Sequence, residues 1–263
     1  MHSKKKYDVI VTGDSRVYRG VAPASLSEEL GGLEVLNFGF SSAGYNATMY
    51  HAINDKMSSG LSQKMVILGI TPYSLTKKAQ ENSHYSQEKL RDQKDVFLRR
   101  YINPLLHFFD PIKPTDILYN TDSIPGYHEK FQKDGWVASY KTPSDPSAAL
   151  EPYVKNFHNN LVKEKVLFEL GDQVKKWTDQ GVVVFAFRVP SSREMEKLEN
   201  EISGFDTKQV IQVIENSGGM WLKLDNIYDY NSYDGSHLDE ISAISFSKYL
   251  GSFIRGELKR NKE

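Results

Sequence analysis

Short, continuously apolar segments alternate with helical patterns along this chain, and this alternation constrains its fold more than any other feature. Continuous hydrophobicity is typical of strands that are covered on both faces, as in a parallel sheet. Between them, apolar residues recur every three to four positions, as Val166, Leu170 and Val174 do. The sequence predicts an α/β fold: a three-layer α/β/α, doubly wound, flavodoxin-like architecture with a parallel sheet of about five strands. The predicted strands are YDVIVTG (7–13), LEVLNFG (33–39), KMVILGI (64–70), GVVVFAFRVP (181–190) and MWLKLD (220–225).

The pattern stops between about residues 72 and 150. Pro, Asp, Ser and Gly concentrate there in segments such as NTDSIPGYHEK and KTPSDPS, as they do in loops. We expect one domain over residues 1–263, with an insertion at about 72–150 after the third strand and one or two helices around 86–109. An insertion of this kind is either a lid or binding loop, or a surface excursion without a role in the site.

Composition narrows the classes of partner. The chain has 33 Lys and Arg against 34 Asp and Glu, so its net charge of −1 gives no general attraction to nucleic acid or to an anionic membrane. Cysteine is absent, which excludes disulfides and thiolate nucleophiles. No apolar run approaches the roughly 20 residues that span a bilayer. The basic stretch Lys4–Lys6 is either a solvated terminus or the flank of a signal or membrane anchor that precedes this chain.

Three residues with complementary chemistry follow predicted strands. Ser15 comes directly after the first strand, and Asp234 and His237 lie between the last strand and the last helix. The carboxyl ends of parallel strands meet at one edge of a sheet, so we expect the three side chains to converge there. Histidine is the usual base for a serine nucleophile, and a carboxylate holds its ring in the correct tautomer. We expect His237 to occupy the first turn of the final helix, where the helix dipole disfavours its protonation.

The same residues also fit a purely structural interpretation. Ser236 and Asp239 have the spacing of a capping box at the start of the final helix. Asp14 and Ser15 are common turn and cap residues. Spacing alone does not decide between catalysis and capping.

The motifs GDSR after strand one, NFG after strand two and DGSH before the final helix resemble those of the SGNH, or GDSL-type, hydrolase superfamily. The segments GDSRVYRGVAP and FRVPSSREMEKLE are further similar to proteins of bacterial cell-surface polysaccharide acylation, akin to the alginate acetylation proteins. The resemblance covers nearly the whole chain. It implies a hydrolase fold, an acyl-transfer activity without a cofactor, and an acylated carbohydrate as substrate.

Carried over by position, the resemblance makes Ser15 the nucleophile, Asp234 the acid and His237 the base. It implies that the backbone N–H of Gly39 and that of Ser15 face the oxyanion. The superfamily usually completes this oxyanion hole with an asparagine after strand three, but Thr71 holds that place here. A threonine hydroxyl also donates, although it reaches less far than an amide.

Further residues at the predicted edge are candidates for substrate binding. Arg16 replaces the usual leucine after the serine, and it either pairs with an acid such as Asp14 or binds an anionic substrate. Arg188 lies near the end of predicted strand four and Ser191 directly after it, and both could shape the pocket, while Ser191 or Ser192 could instead cap the helix that starts near Arg193. The histidines show no metal-ligand spacing, so no metal site is predicted. The aromatic residues of the insertion either form a platform for sugar rings or simply pack; they are Tyr119, Tyr127, Phe131, Trp136 and Tyr140.

Two functions follow from these observations. The first is a serine esterase or O-acyltransferase that acts on acyl groups, in particular acetyl groups, of a carbohydrate through a Ser15 acyl-enzyme. The alternative is a weakly catalytic or non-catalytic component of the same fold that binds carbohydrate and assembles with cell-surface polysaccharide machinery. Both place the protein outside the cytoplasm, in the periplasm or at the cell surface of a bacterium.

Overall fold

The computed structural model describes residues 5–58, 64–82, 126–225 and 227–260. The strands are Val9–Gly13 (β1), Val35–Gly39 (β2), Lys64–Ile70 (β3), Gly126–Phe131 (β4), Val137–Thr142 (β5), Val182–Arg188 (β6) and Met220–Trp221 (β7). Five of them form a parallel sheet in the order β2-β1-β3-β6-β7, which is the flavodoxin-like order. The predicted doubly wound α/β fold is confirmed.

Helices cover both faces of this sheet. They are Ser15–Gly20 (α1), Pro23–Glu29 (α2), Ala47–Lys56 (α3), Lys77–Gln80 (α4), Leu150–Phe157 (α5), Glu164–Asp179 (α6), Arg193–Ile202 (α7), Thr207–Asn216 (α8) and Glu240–Arg260 (α9). One hydrophobic core joins the sheet to α3, α6 and α8, and a second joins it to α1, α2 and α9. Within β1, Val9 and Val11 belong to the second core and Ile10 to the first. Burial on both faces explains why apolar residues follow one another in these strands instead of alternating with polar ones.

The insertion after β3 is more regular than its composition suggests. The helices predicted around residues 86–109 lie outside the described residues, as does Tyr119. Strands β4 and β5, however, form an antiparallel hairpin where we predicted loops. Residues 132–135 form its turn, in which the Gly135 N–H donates to the Gln132 carbonyl at 3.3 Å, and Asp-Gly between strand-like segments is a hairpin signal that the prediction overlooked. The turn covers the outer edge of the main sheet, because the N–H of Asn37 in β2 donates to the Asp134 carbonyl at 2.9 Å.

Glycines at the ends of three adjacent strands let α1 approach the sheet. Gly13 is in register with Gly39 on one side and with Gly69 on the other. A methyl group at Gly69 would lie 2.2 Å from Val17 Cγ2, and one at Gly39 would lie 2.7 Å from the backbone nitrogen of Tyr18. Both distances are well below van der Waals contact. Side chains at these positions would push α1 away from the strand ends.

We therefore expect Gly39→Ala to lower the free energy of unfolding by about 1–3 kcal/mol through overpacking against α1. Gly256→Ala is the matched control, because Gly256 lies in α9 with open space around its Cα. Alanine there should raise stability by about 0.5–1 kcal/mol. Urea unfolding of both variants checks the prediction, and equal stability of Gly39→Ala and wild type would contradict it.

Candidate active site

Ser15 lies at the point where β1 turns into α1. Asp14 is the N-cap of α1, and its carboxylate accepts a hydrogen bond from the Arg16 N–H at 2.9 Å. Ser15 is the first residue of the helix. Since Asp14 provides the cap, the Ser15 hydroxyl is left for another partner. The sheet order reverses at β1 and β3, which is where ligands bind in open α/β sheets.

The structure brings Ser15, His237 and Asp234 together. The His237 Nε2 atom lies 2.9 Å from Ser15 Oγ, and His237 Nδ1 lies 2.8 Å from Asp234 Oδ2. The other oxygen of Asp234 accepts the backbone N–H groups of Ser236 and His237, each at 2.8 Å. An ionised carboxylate can only accept, so Nδ1 carries the proton and Nε2 is free to accept the Ser15 hydroxyl proton. This is the geometry of a serine nucleophile with its base and orienting acid.

Asp234 and His237 belong to a loop, residues 231–239, that we call the acid–base loop. Three backbone N–H groups from other segments hold it: Asp145 donates to Tyr233 at 2.9 Å, Ala149 to Asp234 at 3.0 Å, and Ser192 to the carbonyl of Gly235 at 2.9 Å. Residues 145–149 follow the hairpin. This part of the predicted insertion therefore supports the site from the side.

Two predictions about this loop are wrong. Helix α9 begins at Glu240, so His237 does not occupy its first turn and the helix dipole argument does not apply. The cap is Asp239, which accepts the Ser242 N–H at 2.7 Å, rather than Ser236. The residue predicted as the third of the capping box is therefore itself the cap, and the helix begins three residues later than expected.

Electrostatics favour a charged Asp234. Burial alone would raise the pKa of its carboxyl, but the hydrogen bond and positive charge of His237 and the two backbone N–H donors lower it more, so the pKa lies below its ordinary value. Tyr233 stacks on the imidazole of His237, with ring centres 5.8 Å apart and planes at 16°. Burial raises the pKa of Tyr233, which keeps its hydroxyl neutral beside this pair.

The predicted oxyanion donors have unequal environments. The Gly39 N–H donates to the side chain of Asn37 at 3.0 Å, and the Thr71 hydroxyl donates to Asp14 while it accepts the Ser74 N–H at 3.1 Å. Both donors are therefore engaged in holding the strand ends. The Ser15 N–H belongs to the first turn of α1, where N–H groups have no partner within the helix.

The loop after β2 contains a feature that sequence reasoning missed. Ser42 adopts φ 54°, in the left-handed region that non-glycine residues rarely occupy. Asn82 donates to its carbonyl at 2.9 Å and so fixes this conformation. Strained residues of this kind cluster at functional sites. No side-chain pattern in the sequence signals it.

The three predicted substrate-binding residues are engaged with the protein itself. Arg16 is 1% exposed and forms a two-pronged ion pair with Glu199 of α7, at 2.7 and 3.1 Å, rather than with Asp14. Arg188 pairs with the same glutamate at 3.5 Å. Ser191 is buried, and its neighbour Ser192 caps α7 as one of the alternatives predicted. As substrate ligands, these residues are therefore not supported by the structure.

Glu199 was not predicted, although a signal was present. It lies four residues after the buried Met195, on the core-facing side of α7. A glutamate at such a position is buried only when it is paired. Its partner Arg16 lies 183 residues away, so no local pattern could identify it.

The hairpin brings an exposed aromatic side chain to the site. Tyr127 is 45% exposed, and its ring lies 5.8 Å from that of Tyr233, which covers His237. Arg19 Nε donates to the Tyr127 hydroxyl at 3.0 Å. The other predicted aromatics differ: Trp136 is buried, Tyr140 stacks on His128, and Phe131 is exposed at the far end of β4.

Metal-binding clusters and membrane-spanning helices do not occur in the described ranges. No group of three or more His, Asp or Glu residues is placed there to hold a metal ion. Within the same ranges, no helix has both the length and the apolar character to cross a membrane.

Comparisons with known proteins give weak similarities. No protein-family model matches the chain, and no curated protein matches it. A provisionally assigned lipolytic protein of the G-D-S-L family from Desulfitobacterium hafniense DCB-2 is 10% identical with a TM-score of 0.44, over 94% of this chain and 99% of that one. A provisionally assigned platelet activating factor from Streptococcus pneumoniae is 12% identical with a TM-score of 0.39, over 94% and 84%. At this level of similarity, neither structure bears on the activity of the chain.

The lowered pKa of Asp234 makes stability depend on pH. The folded state holds this proton less tightly than the unfolded state, so Asp234 contributes stability above its ordinary pKa of about 4, and this contribution is lost as the pH falls through the folded value. We expect the difference in free energy of unfolding between wild type and Asp234→Asn to be present from about pH 5 upward and to shrink below about pH 4. Urea unfolding across this range measures it, with Asp179→Asn at an exposed ion pair as the control. A difference that does not change with pH would contradict the prediction.

Proposed function

We propose that this chain is an SGNH-type serine esterase that forms an acyl-enzyme on Ser15. The observation that carries the proposal is the continuous hydrogen-bonded series from Ser15 Oγ through His237 to Asp234, with distances of 2.9 and 2.8 Å. A serine that only capped a helix would not need an oriented imidazole and a partly buried carboxylate beside it. The order of the GDSR, NFG and DGSH motifs supports the same proposal.

The reaction follows from the roles of the three side chains. Ser15 Oγ attacks the ester carbonyl carbon while His237 Nε2 takes the hydroxyl proton, and Asp234 stabilises the imidazolium that forms. The imidazolium then returns the proton to the leaving alkoxide, which departs as an alcohol and leaves the acyl group on Ser15. Water, or a sugar hydroxyl in a transferase, attacks this acyl-enzyme and gives its proton to His237. The bond between Ser15 Oγ and the acyl carbon then breaks, the carboxylic acid or the new ester leaves, and His237 returns the proton to Ser15 Oγ.

Backbone N–H groups are the donors that we propose for the oxyanion. The Ser15 N–H is the first, and the loop after β2 that contains Ser42 would have to supply the second. Gly39 and Thr71 would have to exchange their present partners to contribute. Each well-placed donor lowers the barrier by about 3–4 kcal/mol.

For the substrate we propose the acetyl ester of a carbohydrate, in a bacterial cell-surface polysaccharide system outside the cytoplasm. The motif resemblance supports the class, and the position of Tyr127 supports a sugar ring in the alcohol portion. Its exposed ring and the guanidinium of Arg19 offer a flat apolar face with polar groups around it, which suits a sugar. The same surface would serve a non-catalytic carbohydrate-binding protein.

Covalent labelling tests the nucleophile. We expect a fluorophosphonate to add once to wild type, and we expect Ser15→Ala and His237→Ala to remove the adduct and to lower p-nitrophenyl acetate turnover by at least about 10³-fold. His51→Ala is the control, because His51 is exposed on α3. Intact-mass spectrometry reads the adduct directly. A folded wild type that forms no adduct would exclude the esterase and favour the carbohydrate-binding alternative.

A second variant tests the alcohol portion of the substrate. Tyr127→Ala should raise KM for an acetylated oligosaccharide by about 3- to 10-fold, because the lost contact is worth about 1 kcal/mol. Turnover of p-nitrophenyl acetate, which has no sugar, should not change. Phe168→Ala is the matched control, because this exposed aromatic lies on α6. Equal effects on both substrates would argue against a sugar platform.

A further inference from the structure

Arg16 links the turn at Asp14 and Ser15, which we call the nucleophile turn, to the acid–base loop. Its backbone follows Ser15 directly, and its Nε atom donates to Ser236 Oγ at 3.0 Å. Ser236 is the residue before His237, and its own N–H donates to Asp234. The Arg16 side chain therefore connects the position next to Ser15 with Ser236, which is next to His237.

The residues that form this link are buried, and hydrogen bonds fix the orientation of the Arg16 guanidinium. Arg16 is 1% exposed, and Glu199 and Ser236 are both 0% exposed. Glu199 accepts hydrogen bonds from both terminal nitrogens of the guanidinium. These two bonds fix the plane of the group and direct Nε towards Ser236. The Tyr153 hydroxyl lies 2.7 Å from Ser236 Oγ, and the Tyr153 ring faces the guanidinium at 5.1 Å.

The acid–base loop needs such a constraint because it is not part of the sheet. Strand β7 ends at Trp221, well before Asp234 in the chain. The backbone donors that hold the loop come from Asp145, Ala149 and Ser192, none of which belongs to the nucleophile turn. These backbone donors fix the loop relative to the segments to which they belong. The hydrogen bond from Arg16 fixes the loop relative to Ser15.

We propose that Arg16 is a positioning residue that holds His237 at hydrogen-bonding distance from Ser15 through Ser236. The proposal rests on the proposed esterase function. Arginine is required because one side chain must present two parallel N–H groups to Glu199 and a third to Ser236. Lysine has one nitrogen and cannot hold both partners in this geometry.

Ser236→Ala is the sharpest test, because it leaves the ion pair intact and removes the hydroxyl that Arg16 contacts, together with that hydroxyl's bond to Tyr153. A small displacement of reacting groups costs about 10- to 100-fold in rate. We expect Ser236→Ala to lower kcat for p-nitrophenyl acetate and the rate of fluorophosphonate labelling by about this factor, with KM within about twofold of wild type. Arg16→Lys should give the same loss, and the double variant should be no slower than either single one.

Ser247→Ala is the matched control. Ser247 is also 0% exposed, accepts the Ala22 N–H at 2.7 Å and donates to the Ala243 carbonyl, but it lies between α2 and α9. The Ser247→Ala variant therefore measures how the loss of a buried serine hydroxyl affects stability when no contact with the site is removed. Thermal unfolding of each variant is measured beside its kinetics.

The outcomes separate this proposal from the proposed function. Wild-type kcat in Ser236→Ala, or a loss that only follows the loss of folded protein as in Ser247→Ala, would overturn the positioning role while Ser15-dependent turnover still supported the esterase. Additive losses in the double variant would also overturn it, because Arg16 would then act by another route. A folded wild type without an adduct or turnover would overturn both.

Discussion

Close packing of α1 against the ends of β1, β2 and β3 is the constraint on which the site depends. The three strand-end glycines, Gly13, Gly39 and Gly69, are in register and leave room for Val17 and the backbone of Tyr18. Ser15 is thereby placed over the switch point of the sheet with its hydroxyl at the edge. Glycine at these positions has a steric role that is independent of any role in catalysis.

The second constraint is the burial of the charged side chains of Arg16 and Glu199. A buried arginine is tolerated only with a paired partner, and removal of one partner of a buried ion pair costs about 3–5 kcal/mol. Arg16 and Glu199 meet this condition through two hydrogen bonds, and Arg188 adds a second positive group to the same glutamate. Because Glu199 lies on α7, this helix is joined to the nucleophile turn. The Arg16–Glu199 ion pair therefore satisfies two buried charges and also determines the direction in which the guanidinium faces the acid–base loop.

Sequence patterns predict the parts of this molecule that depend on hydrophobic periodicity and on the topology of the sheet. Apolar strands covered on both faces indicate the sheet, and the rule that strand ends converge is sufficient to bring Ser15 towards His237. The first turn of α9 was misplaced because Ser236 and Asp239 are both good caps, and only the tertiary bonds of Ser236 to Arg16 and Tyr153 decide between them. The position of Glu199 on the core-facing side of α7 indicates that it is buried and paired, but not with which residue, because Arg16 lies 183 residues away. The hairpin was missed because the turn signal at Asp134 and Gly135 was interpreted as part of a loop.

The two carboxyl oxygens of Asp14 show how this chain differs from the pattern that it resembles. One oxygen caps α1 through the Arg16 N–H, and the other accepts the Thr71 hydroxyl from the end of β3. Where the family uses an asparagine amide for the oxyanion, this chain uses the side chain at that position to hold the nucleophile turn. The turn is consequently held on one side by Thr71 and on the other by Arg16 with Ser236. With these side chains engaged in positioning, the proposed esterase would stabilise a developing negative charge through backbone N–H groups, and these would need the turn and the Ser42 loop to be rigid.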